Sequence, residues 1–205
     1  MIKFDVDFMK NLQSHCITML HEDEGCEVKL IENYQDIYQL ICTLQLHNYY
    51  LWHQEDIARR VDVNDTVIAE TKHRIDRLNH SRNDTIEKID EYLLLSMQGD
   101  NIDNSLPINS ETPGSIIDRM SILTLKIYHM NEETKRNDVS LEHIEKCQDK
   151  LIILKEQLED LGNCLKVLLE EIFNGKKRLK IYRQFKMYND PALNPQLYAR
   201  QAVTE

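Results

Sequence analysis

Apolar positions recur at intervals of three and four residues through most of this chain, a period that belongs to helices rather than strands. From about residue 5 to 22, Phe8, Leu12, Cys16 and Met19 share one face; His21 to Gly25 then reads as a frayed end and a stop. A second helix is expected from roughly 33 to 60, with Ile37, Ile41, Leu44, Asn48, Leu51, Glu55 and Ala58 on its seam. A third, from about 64 to 95, aligns Ile68, Ile75, Leu78, Arg82, Ile86, Ile89 and Leu93, with a polar stripe of Asp76, Asn79, Asn83, Glu87 and Asp90 beside them. Thr112-Pro113 is a helix start, since Thr can accept from free N–H groups and Pro is preset for the first turn. That helix should run to about 136 through Ile117, Met120, Thr124, Ile127 and Met130. Ser140 is the next expected cap. Beyond it Leu141, Ile144, Gln148, Leu151, Leu154, Leu158, Leu161, Leu165, Leu168 and Ile172 keep strict three-four spacing, the seam of a coiled coil.

Five glycines and four prolines, the latter at 107, 113, 191 and 195, leave room for long uninterrupted helices. The expectation is a single all-α domain over 1–205, an elongated helical bundle. Its first helical half spans 1–97, a crossover loop 98–112, a long antiparallel coiled-coil-like hairpin 113–173, a basic amphipathic segment 174–190 and a tail 191–205. Leftover apolar surface on the leucine seam would suit a homodimer.

Charge changes the picture in one place. The net charge is −10, which argues against general nucleic-acid binding. Yet Lys176, Lys177, Arg178, Lys180, Arg183 and Lys186 fall within fifteen residues that hold no acid. With Leu179, Ile181, Tyr182, Phe185 and Tyr188 between its charges, this segment reads as an amphipathic helix. It would lie on the acidic remainder of its own chain or meet an anionic partner. The five cysteines include no C-x-x-C pair and read as reduced thiols. Acids near the N-terminus and the lack of a long apolar run point to a cytoplasmic protein without a transmembrane segment.

Candidate chemistry lies where polar residues occupy apolar seams, because burying them unpaired costs several kcal/mol. Glu55 and Arg82 could pair across two neighbouring helices; alternatively Arg82 could hold the anionic group of a ligand, for which its fork of donors is suited. The candidate ligand-binding set is His53, Glu55, Asp56, Asp76, Asn79, Arg82, Asn83, Asp90, Asp118 and Arg119. Trp52, His47, His129 and the tyrosines at 49, 50 and 128 read as packing at or near the core. A divalent cation is the cofactor this donor chemistry would accept. Three readings follow: a binding or accessory protein with an internal polar site for a small anionic ligand or protein partner; a magnesium-dependent phosphohydrolase; and a structural adaptor acting through the leucine seam and the basic segment. The second rests on Glu87-x-x-Asp90, which resembles the carboxylate element of all-α nucleoside-triphosphate pyrophosphohydrolases, with Glu55, Asp56, Glu87 and Asp90 as metal ligands. Glu70-x-x-His73 is only half of a di-iron signature.

Several strings together carry a wider resemblance: Leu51-Trp52-His53-Gln54-Glu55-Asp56, the run from Arg74 through Asn79 and Arg82 to Asp84, Ile89-Asp90, Ser110 to Pro113, Ile117 to Met130, Met187 to Asp190, and Asn194-Pro195. The chain resembles a bacterial family, number 4254 among the domains of unknown function and common in the Bacteroidetes. The resemblance implies a bacterial, non-secreted, all-α protein and supplies no activity, substrate or cofactor.

Overall fold

A computed structural model of the chain describes residues 4–23, 25–97, 103–184, 187 and 190–197, without the side chains of 28–30 and 97. Six helices form: α1 Val6–Glu22, α2 Glu27–Glu32, α3 Asp36–Ala58, α4 Asp65–Met97, α5 Pro113–Glu133 and α6 Leu141–Phe173, with no strand among the described residues. The all-α expectation holds. Among the described residues no helix is long and apolar enough to cross a membrane.

The helix starts follow local chemistry. Asp5 accepts from the N–H groups of Asp7 and Phe8 at the head of α1, Thr112 from that of Ser115 at α5, and Ser140 from that of His143 at α6. The helix α2 was not expected, and neither was the start of α3. The helix anticipated from 33 begins at Asp36, whose φ of +56° lies in the left-handed region and turns the chain between α2 and α3. Asp tolerates that conformation better than most residues, because its short side chain can bond locally.

Helices α3 and α4 pack against each other, as do α5 and α6, and α1 lies among α3, α5 and α6. The core draws on every long helix: Met9, Leu12 and Cys16 of α1, Ile37, Ile41 and Leu44 of α3, Ile89 and Leu93 of α4, Ile117 and Met120 of α5, Leu165 and Ile172 of α6. Phe8, expected on the inner face of α1, is exposed and meets the ring of Tyr38 edge-on. The leucine seam of α6 buries Leu151, Leu165, Leu168 and Ile172, whereas Leu141 and Gln148 at its N-terminal end face outward. The hairpin is real but packs only along part of its seam.

Gly114 sets the closeness of α4 and α5. A Cβ built there would fall 2.7 Å from the Ile86 carbonyl oxygen and 2.9 Å from the Asp90 carboxylate. Both distances are too short for a side chain, so only glycine fits this crossing.

Over residues 174–184 the basic segment is not helical. It runs as a strap over α4 and the loop before α5, in agreement with the intramolecular docking anticipated from its charge. Arg178 donates to the Leu106 carbonyl and to Asn104, and Lys177 pairs with Glu171. Arg183 pairs with both Glu87 and Glu91, and the N–H of Gln184 donates to Glu87. Leu179 is buried beneath. Lys176 and Lys180 are exposed; Lys186, Phe185 and Tyr188 lie outside the described residues, as do Gly99 to Asn101 of the crossover loop.

Candidate functional site

The residues expected to converge into one polar site separate into several local arrangements. Glu55 pairs with Arg59 one turn along its own helix, Asp76 with Lys72, and Asp56 and Arg119 are exposed. Asn79 and Asn83 are half-buried on α4. The anticipated Glu55–Arg82 bridge does not form: Arg82 instead approaches Asp118 at 4.0 Å, the limit of an ion pair. Asp118 is buried and accepts from Asn48 at 2.9 Å, whose amide also donates to the Ser121 hydroxyl at 2.9 Å. Burial raises the Asp118 carboxyl above its usual range, opposed by the Asn48 bond and by Arg82. Asn48, Asp118 and Ser121 therefore satisfy one another across α3 and α5, while the Arg82 Nε of α4 is buried beside them without a hydrogen-bond partner.

The carboxylates proposed for magnesium are also occupied, and they do not meet. Glu87 holds the strap. Asp90 is buried and accepts from the N–H of Gly114 at 2.6 Å. Burial pushes its carboxyl up to about 6 against the opposing bonds from Thr112 and Gly114, with Glu87 adding to the rise. Glu55 and Asp56 sit near the C-terminus of α3, beside the start of α4, while Glu87 lies about 33 Å further along α4.

Among the described residues, the one group of three or more potential metal ligands that does converge is His21, His53 and His129. Each comes from a different helix, α1, α3 and α5. One ring nitrogen of each lies within 4.8 Å of the other two, and ring centroids are 5.1 to 5.7 Å apart. The Nε2 atom of all three is buried with no hydrogen-bond partner. For a group that ordinarily finds a partner when buried, three such atoms in one place need an explanation.

Their other nitrogens supply one. His21 Nδ1 lies 2.8 Å from the Ile17 carbonyl oxygen, which can only accept, so Nδ1 carries the proton and Nε2 of the neutral ring a lone pair. His129 Nδ1 meets the Glu132 carboxylate at 2.8 Å, with the same consequence. Backbone carbonyls and carboxylates are the partners that metal-bound imidazoles usually have. Burial lowers the pKa of His53 below the usual imidazole value, reinforced by His21 and His129, so the ring is held neutral as a ligand must be.

Aromatic rings enclose the group. Tyr128 stacks on His21 at 4.2 Å, Tyr49 meets His21 and His53 edge-on, and Trp52 stacks on His129 at 4.8 Å. Trp52 and His129 also line a groove of about 560 Å³ between α3, α5 and α6, with Met130, Ile153 and Leu154 on its walls.

Tetrahedral zinc held by imidazoles at 2.0–2.1 Å sets its ligand nitrogens about 3.4 Å apart. Closing the present separations to that value takes side-chain shifts of about 1.4 Å at most. Of the three ligands, sequence reading singled out His53 alone. His21 falls where a fraying end was expected and His129 where core-edge packing was. No pair of these histidines has the i, i+3 or i, i+4 spacing that marks a metal motif on one helix, so local pattern could not unite them.

A family model described as "Protein of unknown function (DUF4254)" matches residues 38–181. No curated protein and no solved structure matches the chain.

Proposed function

We propose that this chain, which belongs to the DUF4254 family, is a metal-binding protein that holds one transition-metal ion, zinc foremost, on His21, His53 and His129. The observation that carries this reading is the meeting of three histidines from three helices, each with a buried, unpartnered Nε2. It keeps the expectation of a binding protein and of a divalent cation, and moves the site from the carboxylate seams to the histidines. All-imidazole ligation suits zinc, copper, nickel or ferrous iron and is poor for magnesium, which demands oxygen. Three protein ligands leave a fourth position for water or a bound molecule, the pattern of metal centres that act as Lewis acids. Glu132 orients His129 from outside.

The test is titration of the purified, metal-stripped chain with zinc and with cobalt, read by calorimetry and by the visible bands of bound cobalt. One ion per chain is expected. His21→Ala, His53→Ala and His129→Ala should each weaken binding by about a hundredfold or more, and Glu132→Gln by about tenfold. Failure to bind either ion, or binding that survives His53→Ala unchanged, would refute the assignment.

A further inference from the structure

A second groove, of about 370 Å³, lies between α3 and α4 and is lined by Tyr50, Gln54, Arg74, Arg77, Leu78 and Ser81. Its two arginines differ from most others in the molecule. Arg59, Arg60, Arg82, Arg136 and Arg183 each have a carboxylate within ion-pair distance; among the described residues Arg74 and Arg77 have none. They stand one helical turn apart on the same face of α4, where like charges repel by a few tenths of a kcal/mol. In a chain with ten excess negative charges, that repulsion is left without a counterion on the protein.

The remaining lining residues complete a receptor for an oxyanion. Gln54 has its Oε1 buried without a partner; rotation of the amide about its last torsion exchanges that oxygen for an NH2 donor. The Ser81 hydroxyl is one turn beyond Arg77 and can donate as well. Tyr50 spends its hydroxyl on Glu27 at 2.5 Å, and with Leu78 it contributes apolar wall. Two guanidinium groups match the two negative charges of a phosphate monoester better than the single charge of a carboxylate. The volume exceeds that of a bare phosphate and falls in the range of small-molecule sites.

We infer that this groove binds the phosphate group of a small phosphorylated molecule, with Arg74 and Arg77 on the phosphate oxygens, Gln54 and Ser81 as neutral donors, and the organic part against Tyr50 and Leu78. This site is separate from the three histidines and does not depend on the metal reading.

Because phosphate can also ligate a metal ion, the probe is phenyl phosphate titrated into metal-stripped protein at low salt in the presence of EDTA, with phenol as the uncharged control. Saturable binding is expected for phenyl phosphate and none for phenol. Arg74→Gln and Arg77→Gln, both at exposed positions, should fold normally and each weaken binding by about tenfold or more. Lys155→Gln, an exposed charge on α6 outside both sites, should leave the affinity unchanged, and added sodium chloride should reduce it. Absence of saturation up to about 20 mM, an affinity indifferent to both arginine variants, or an equal loss of binding in Lys155→Gln would each overturn the proposal.

Discussion

Asp90 shows how a side chain that looks like a ligand can be a structural fixture. Its carboxylate holds the Gly114 N–H from inside the α4–α5 contact, where burial raises its pKa to about 6 from an ordinary 3.8. The folded state therefore holds this proton more tightly than the unfolded chain does. The stability gained is complete below about pH 4 and is lost as pH rises through about 6. Asp90→Asn, which keeps an acceptor for Gly114 without the buried charge, should be as stable as the natural chain or up to about 2 kcal/mol more stable at pH 7, with the advantage vanishing near pH 4. Urea unfolding at the two pH values checks this. Gly114→Ala is expected to cost about 2–3 kcal/mol in the same measurement, because a Cβ there displaces the Ile86 backbone or Asp90.

At the scale of elements, buried amides join the helices where apolar packing alone would leave register free. Gln13 of α1 donates to the Ile117 carbonyl, Gln45 of α3 to that of Ser121, and Asn48 to Asp118 and Ser121. All four bonds end on α5. Asn48→Ala should destabilise the fold by about 2–3 kcal/mol, measured by denaturant titration, since Asp118 and Ser121 would lose their donor inside the bundle. The strap is held differently, by partly exposed ion pairs. Arg183→Ala should lower stability only slightly in denaturant titration, and about 0.5 M salt should remove most of the difference. Hydrogen exchange at Leu179 would report the loosening.

Across the whole molecule, the three histidines clamp α1, α3 and α5, the helices whose mutual packing builds much of the core. An ion bound there should stabilise the entire fold, by about 2.7 kcal/mol at a hundred times its dissociation constant. Thermal unfolding with and without zinc at pH 7.5 should show the shift. At pH 5 it should disappear, because protonation of the imidazoles competes with the metal. His53 adds a smaller trend to the metal-free chain. Its folded-state pKa is depressed, so the neutral ring's contribution is present above the unfolded value near 6.5 and declines as pH falls through the folded one.

Features that depend on near neighbours along the chain are legible in the residues alone. The period of three and four set the helices, Thr112 and Ser140 marked where two of them begin, and the short link between α5 and α6 called for a hairpin. Asn48 and Arg82 were legible as polar interruptions, because their positions on apolar seams are local facts. Their partners were not, since Asp118 and Ser121 lie about seventy residues from Asn48 and only the crossing of α3 with α5 brings them within reach. The same holds with more force for the histidines. Each ring is one isolated residue on its own helix, and its relation to the other two exists only after α1, α3 and α5 have packed side by side. Helical periodicity reports which face of a segment is buried. Which faces then meet, and at what height along the bundle, depends on the closeness that Gly114 permits, on the amides that end on α5 and on the shape of the assembled core.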